Sequence, residues 1–279
     1  MLVFTKIKSL QQKLGSLKKE VSVGFVPTMG ALHKGHLSLV EQAKRENDVV
    51  VVSIFVNPTQ FDKKEDLENY PNTLNEDLTM LKEAFCDIVF TPTAKEIYAN
   101  EVKSQSFSFD GLENRMEGKF RSGHFDGVGT IVKRFFEIVN PTRAYFGEKD
   151  FQQLQIIKKM VTMFALPVKI IGCPIFREED GLAMSSRNLR LTKEHRQAAP
   201  FIYKTLQQSK VKFGTNNVTT VIEWVKSEFK KQPLLILEYF EIANENTLEP
   251  VKVKMSGQKL RAFIAVFAGE IRLIDNISL

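Results

Sequence analysis

The chain has 279 residues, 43% hydrophobic and 26% charged, enough for one large core or two moderate ones, and domains of ~100–200 residues favour two. Its two cysteines, Cys86 and Cys173, lie far apart outside any CxxC spacing, which argues against a disulfide framework and a cysteine zinc site. Lys and Arg number 39 against 33 Asp and Glu, a net charge of +6, but the bases are mixed with acids ("KKEDLEN", "REED") and read as solvated surface rather than a nucleic-acid face. Neither end carries an apolar run of ~20 residues. A soluble, unprocessed protein of the reducing cytoplasm, with no membrane partner, is expected.

In chain order, "VSVGFVP" (21–27) and "VVVVSIFV" (49–56) are short β-branched runs ended by proline or Asn-Pro, as buried parallel strands are. Between them Leu37, Val40 and Ala43 recur at helical spacing. A helix through Leu74, Leu78 and Leu81 precedes a strand at "CDIVFTP" (86–92). The next helix runs from 126 to 139, followed by the strand "RAYFG" (143–147), a helix carrying Leu154, Ile157, Val161 and Phe164, and the strand "PVKIIGC" (167–173). Alternating strands and helices imply βαβ units with right-handed crossovers. After about residue 176 two helical stretches (193–208 and 217–230) lead into three strands, "LLILEYFEIA", "LRAFIAVFA" and "IRLIDNI". The expected fold is α/β: a Rossmann-like parallel sheet with helices on both faces (1–175), plus a smaller C-terminal α+β domain (176–279) packed closely on it and covering the site.

The stretch "PTMGALHKGH" (27–36) joins the first of these strands to the first helix. Open α/β sheets bind ligands outside the carboxyl ends of their strands. Glycines there allow close backbone approach, and a helix N-terminus attracts an anion. His33 and His36 can each donate a hydrogen bond to phosphate oxygens. Two other readings stay open on the residues alone: surface histidines beside a helix start, and a metal pair, although i,i+3 histidines without a third ligand make a poor zinc site. Neither GxGxxG nor GxxxxGK[ST] is present, which disfavours a dinucleotide fold and a P-loop.

The H-x-G-H spacing at this junction resembles the signature of the nucleotidylyltransferase and class I aminoacyl-tRNA synthetase superfamily. With "VNPTQF" (56–61), "RSGHFDGV" (121–128), "FGEKDFQQL" (146–154), "DGLAMSSRN" (180–188) and "LIDNI" near the end, the chain resembles the pantoate–β-alanine ligases along nearly its whole length. Lys34, Ser122 and Phe176 depart from the residues common in that family without removing a contact.

The resemblance implies ATP-dependent condensation of pantoate with β-alanine through a pantoyl adenylate, with Mg²⁺ accompanying ATP, small-molecule partners rather than nucleic acid, and a homodimer. It implies that ATP is bound by Met29, Gly30, Ala31, Leu32, His33, Lys34, Gly35 and His36. Further ATP contacts would come from Gly147, Glu148, Lys149 and Asp150, and from Phe176 (through its backbone), Met184, Ser185, Ser186 and Arg187. His36, His33, Lys149 and Arg187 would do the catalytic charge work. Gln60 and Gln153 would hold pantoate, with Asn57 shaping that pocket and Arg121 and His124 completing an anion-binding wall. Each segment also has a plainer reading. Asp150 and Gln153 have the spacing of a helix capping box, "MSSR" suits an ordinary serine-rich turn, and Arg121 and His124 suit a helix entry. Glu76 and Asp77, at the start of a helix where the dipole favours acids anyway, are candidates for the one or two carboxylates that Mg²⁺ takes besides phosphate oxygens. The polar stretch 61–73 suits a lid as well as a surface loop. Rival classes are another nucleotidyl-transferring enzyme and a basic RNA-binding module; paired glutamines speak against the first and the lack of interleaved aromatic and basic stripes against the second.

Overall fold

The computed structural model describes residues 1–61, 64–99 and 101–279. The first strand, β1 (Leu2–Phe4), and helix α1 (Ile7–Gly15) precede β2 (Val23–Thr28), α2 (Lys34–Glu46) and β3 (Val49–Ile54). Next come α3 (Lys64–Glu68), α4 (Leu74–Glu83), β4 (Ile88–Phe90), α5 (Ala94–Tyr98), α6 (Met116–Phe120), α7 (His124–Val139) and β5 (Arg143–Gly147). Helix α8 (Phe151–Met163) and β6 (Lys169–Cys173) follow. The remainder holds α9 (Lys193–Ala198), α10 (Phe201–Thr215), α11 (Val218–Lys230), β7 (Ile236–Asn244), β8 (Leu260–Ala268) and β9 (Ile271–Ser278).

Strands β1 to β6 form one parallel sheet in the order β1-β4-β3-β2-β5-β6. Its central strands are predominantly apolar, with Thr28 and Ser53 the buried polar exceptions at their carboxyl ends, because both faces are covered. On one face Val26, Val50, Val52 and Val89 pack with Leu39, Val40 and Ala43 of α2 and Leu81 of α4. On the other, Phe25 and Phe90 meet Phe135 of α7 edge to face, with centroids 5.7 and 6.2 Å apart. The strand order reverses at β2, since β3 lies on one side of it and β5 on the other. Such a switch point opens a crevice at the carboxyl ends of those strands, from which the loops after β2 and β5 depart.

Strands β7, β8 and β9 form a separate antiparallel sheet. Phe240, Ile242, Ile264, Val266 and Leu273 on its strands share a core with Ile202 and Leu206 of α10 and Val221, Val225 and Phe229 of α11. The expected helix 193–208 is two helices, broken between α9 and α10 at Ala199 and Pro200, where a proline lacks the N–H needed to continue the first ladder. Two compact units result: Met1–Glu148 with Gln153–Pro174, and Lys149–Gln152 with Ile175–Leu279. Among the described residues no helix is long and apolar enough to cross a membrane.

Candidate active site

At the end of β2 the Thr28 hydroxyl donates to Ser53 O at 2.7 Å and accepts from Gly30 N at 3.2 Å. The chain then takes two consecutive left-handed residues, Gly30 (φ 83°) and Ala31 (φ 50°). A Cβ at Gly30 would stand 3.0 Å from Asp77 Oδ2 and 3.1 Å from Ile54 Cγ2, so this turn requires glycine twice over. The successive backbone N–H groups of Ala31 and Leu32 donate to Asp77 Oδ2 (3.0 Å) and Oδ1 (2.8 Å). Having turned, the chain places His33 in extended backbone as the N-cap of α2, and His33 O accepts from His36 N and Leu37 N. The two imidazoles face one another with ring centroids 4.0 Å apart. Both are half-buried, while Lys34 is exposed. Two imidazoles gathered on one side of a helix entrance can bracket a single anion.

Asp77, one of the two carboxylates expected near magnesium, serves the loop as well. It is buried, and Thr73 Oγ1 also donates to it, at 3.2 Å. Glu76, its neighbour on α4, is exposed; adjacent helix positions point ~100° apart. Among the described residues no group of three or more His, Cys, Asp or Glu side chains could hold a metal ion. The backbone N–H groups of Ala31 and Leu32 are thus engaged by Asp77.

After β3 a short 3-10 turn, Pro58–Gln60, carries the second segment. Asn57 is buried, and its Nδ2 donates to Gln60 Oε1 and Gly127 O, both at 3.2 Å. Gln60 Nε2 reaches Met29 Sδ at 2.9 Å, so the second segment touches the first. At the start of α7, His124 Nδ1 donates to Gln60 O at 2.8 Å and its Nε2 accepts from Arg121 Nη1 at 3.2 Å. That pattern fixes a neutral tautomer. Arg121 and His124 therefore buttress the Gln60 turn from the entry of α7. Phe61, after Gln60, packs its ring on Tyr70 at 5.7 Å, beyond α3. Of the stretch 61–73, Asp62 and Lys63 lie outside the described residues.

The turn after β5 is a 3-10 turn, Glu148–Asp150, running directly into α8. Gly147 ends the strand half-buried, Asp150 is exposed 3.9 Å from Lys149 Nζ, and Gln153 is half-buried on α8. Asn276 Nδ2 donates to Lys149 O at 3.0 Å. In the second unit residues 176–184 form a hairpin, with Met184 N donating to Phe176 O and Glu178 N to Leu182 O. Phe176 therefore spends its carbonyl on Met184. Arg177 pairs with the buried Asp275 at 2.7 and 2.9 Å and stacks on Tyr203. Burial pushes the Asp275 carboxyl above its usual range against the opposing pull of Arg177. Ser185 accepts from Arg187 N and caps the turn Ser186–Arg190; Ser186 is buried and Arg187 half-buried. Asn188 ties that turn to Ala183 O (3.1 Å) and Glu178 Oε1 (2.7 Å).

The sequence motifs do not single out Tyr98, Thr73 or Asn188, each of which holds a candidate residue or its loop through a hydrogen bond. Tyr98 is 41 residues from the Asn57 it touches, and no local pattern connects them.

A parallel sheet with a switch point, and at that point a glycine-turned loop delivering paired imidazoles to a helix entrance, define an α/β nucleotide-binding enzyme. The family model for pantoate-beta-alanine ligase matches residues 2–278. The chain belongs to that family. It is 54% identical over 281 residues to a pantothenate synthetase of Christiangramia forsetii, covering 100% of this chain and 99% of that protein. It is 53% identical to one of Flavobacterium psychrophilum, covering 100% of both. Among solved structures, a pantothenate synthetase from Thermus thermophilus superposes with a TM-score of 0.91 at 41% identity, covering 99% of each chain. A pantoate-beta-alanine ligase from Francisella tularensis, complexed with beta-gamma ATP and beta-alanine, gives 0.83 at 38% identity, covering 100% of this chain and 97% of that one.

Proposed function

We propose that this chain condenses pantoate with β-alanine at the expense of ATP, and that its own residues divide the work as follows. A pantoate carboxylate oxygen attacks the α-phosphorus of ATP, the bond to the pyrophosphate oxygen breaks, and pyrophosphate leaves. The β-alanine amine then attacks the carbonyl carbon of the mixed anhydride, the acyl–oxygen bond breaks, AMP leaves and the nitrogen loses a proton. Neither step needs a covalent enzyme nucleophile. The first needs aligned reactants and cations or donors on the phosphates; positioning of this kind supplies ~7–11 kcal/mol and one well-placed donor ~2.7–4 kcal/mol.

The observation that carries this reading is the imidazole pair, 4.0 Å apart at the entrance to α2, on the loop whose Met29 is bonded to Gln60. His33 and His36 stabilise the phosphates as pyrophosphate departs. Lys149 and Arg187 add charge, Gly30 and Gly35 keep the loop open to the ligand, and Gly147, Glu148 and Asp150 serve the ribose side. Phe176 and Met184 flank the adenine, and Ser185 and Ser186 donate to the triphosphate. Gln60 and Gln153 hold pantoate, with Asn57 fixing the first of them. A magnesium ion arriving with ATP would be held mostly by phosphate oxygens and water, with Glu76 and Asp77 the candidate carboxylates. The mixed anhydride would hydrolyse in open water, so the site must exclude it. Two buried free cysteines suit a reducing cytoplasm, and the family resemblance proposes a homodimer, which sedimentation decides.

The test is ATP turnover with pantoate and β-alanine offered singly and together. Pyrophosphate exchange with pantoate alone, and sustained AMP release only with both, is expected. Pyrophosphate release indifferent to pantoate overturns the reading.

A further inference from the structure

Tyr98 closes α5, outside every motif so far considered. Its hydroxyl donates to Asn57 Oδ1 in a short hydrogen bond and lies 3.1 Å from Thr59 Oγ1. Thr59 Oγ1 donates to the same Oδ1 at 3.2 Å. Two hydroxyls thus converge on one amide oxygen. On the opposite side Asn57 Nδ2 faces two acceptors, Gln60 Oε1 and Gly127 O. Turning this amide over would set its oxygen against the Gly127 carbonyl, a pure acceptor, and against Gln60 Oε1, and would take from the two hydroxyls the oxygen they share. At 1% exposure no solvent relieves such a mismatch, and buried polar groups left unpaired are costly. The orientation passes on to Gln60: its Oε1 is taken by an N–H, so its Nε2 hydrogens face away from Asn57, where they meet Met29 Sδ, a weak acceptor.

We propose that Tyr98 is a positioning residue for pantoate recognition: Gly127 O orients the Asn57 amide, Tyr98 secures it by donating to its oxygen, and Asn57 so held makes Gln60 present amide hydrogens, so that Gln60 receives an oxygen acceptor of the hydroxy acid in place of the Met29 sulfur. The inference rests on the pantoate reading above. Burial holds the Tyr98 phenol above its ordinary value, so it remains a hydrogen donor throughout neutral pH. Its ring packs beside Phe55, centroids 6.5 Å apart, and Tyr98→Phe keeps that packing while deleting the donor.

The experiment is steady-state kinetics of Tyr98→Phe, Thr59→Val and the double variant, with each of the three substrates varied in turn, beside melting curves. Losing one neutral hydrogen bond should raise KM for pantoate about threefold to tenfold, well above any change in KM for ATP or β-alanine. The double variant should exceed the product of the singles, since the buried Asn57 Oδ1 then loses both of its hydroxyl donors. A pantoate KM within twofold of the parent in Tyr98→Phe and in the double variant overturns the proposal. So does a parallel rise in the KM for ATP, or a fall in melting temperature with all three KM values unmoved. The parent enzyme separates the two levels: pantoate-dependent turnover that Tyr98→Phe leaves unaltered sinks this inference alone, whereas a parent indifferent to pantoate sinks the functional reading with it.

Discussion

Asp77 illustrates how a single carboxylate can act on chemistry it does not touch. Its two oxygens receive the N–H groups of Ala31 and Leu32, and those bonds hold the left-handed turn from which His33 and His36 emerge. Asp77→Asn keeps one acceptor and sets an amide N–H against a backbone N–H, and a buried donor so stranded costs ~1–3 kcal/mol. A melting midpoint lower by a few degrees, together with a fall of tenfold or more in pantoate-dependent pyrophosphate release, is the expected outcome. An Asp77→Asn protein with the parent's kcat would show that the loop holds its shape unaided. His36 itself is tested more directly. If its ring donates to the phosphates in the transition state, His36→Ala should slow pyrophosphate release by ~10²–10³, the loss usual for one such donor. Stopped-flow measurement of the first step reads this without interference from the second, and a rate within threefold of the parent would remove His36 from the charge work.

Between elements, close approach decides what the site looks like. Helix α7 comes so near the 3-10 turn Pro58–Gln60 that a Cβ at Gly127 would stand 2.2 Å from Thr59 O and 2.7 Å from Gln60 Cα. Both neighbours are backbone, so neither can swing aside. Gly127→Ala must push the turn off the helix and carry Gln60 with it, stretching the bond from Asn57 Nδ2 to Gly127 O. Overpacking of this kind costs ~1–3 kcal/mol, and the displaced glutamine should raise KM for pantoate while KM for ATP changes less. Equal effects on both substrates, measured in the same assay, would mean that the turn does not carry the pantoate contact. This contact also marks the limit of what a sequence discloses. The histidine loop is legible because its glycines, its histidines and the helix it enters are contiguous, although the residues alone leave its ligand open. The bonds of Ala31 and Leu32 to Asp77 span 46 and 45 residues, and only the folded sheet brings those positions together. Adjacent acids at a helix start suggest a cation, and that one of them also holds the loop shows only when the loop is in place.

Across the whole molecule the parallel sheet is readable because double-sided burial leaves predominantly apolar runs at β2, β3 and β4. Strand β1 is not, since it has only three residues, and Leu2 and Val3 are both 46% exposed at the sheet's edge. Burial also sets how the molecule responds to alkali. Cys86 and Cys173 are buried, and desolvation pushes each thiol up to about 12; Tyr145, buried beside Glu46, is likewise raised to about 12. In the unfolded chain thiols titrate near ~8.5 and phenols near ~10. The folded protein therefore holds these protons more tightly, so their contribution to stability is complete below about pH 8.5 and is lost as pH rises towards about 12. Urea midpoints should hold steady from pH 7 to 8 and fall progressively above 9, and Cys86→Ala with Cys173→Ala should flatten that fall even though the lost packing lowers the starting value. At pH 8 a disulfide reagent should leave the native protein unlabelled and modify two thiols once urea unfolds it. Rapid labelling of native protein, or a midpoint unchanged between pH 8 and 10.5, would mean that these thiols are open to water and that the sheet's core is less closed than its packing implies.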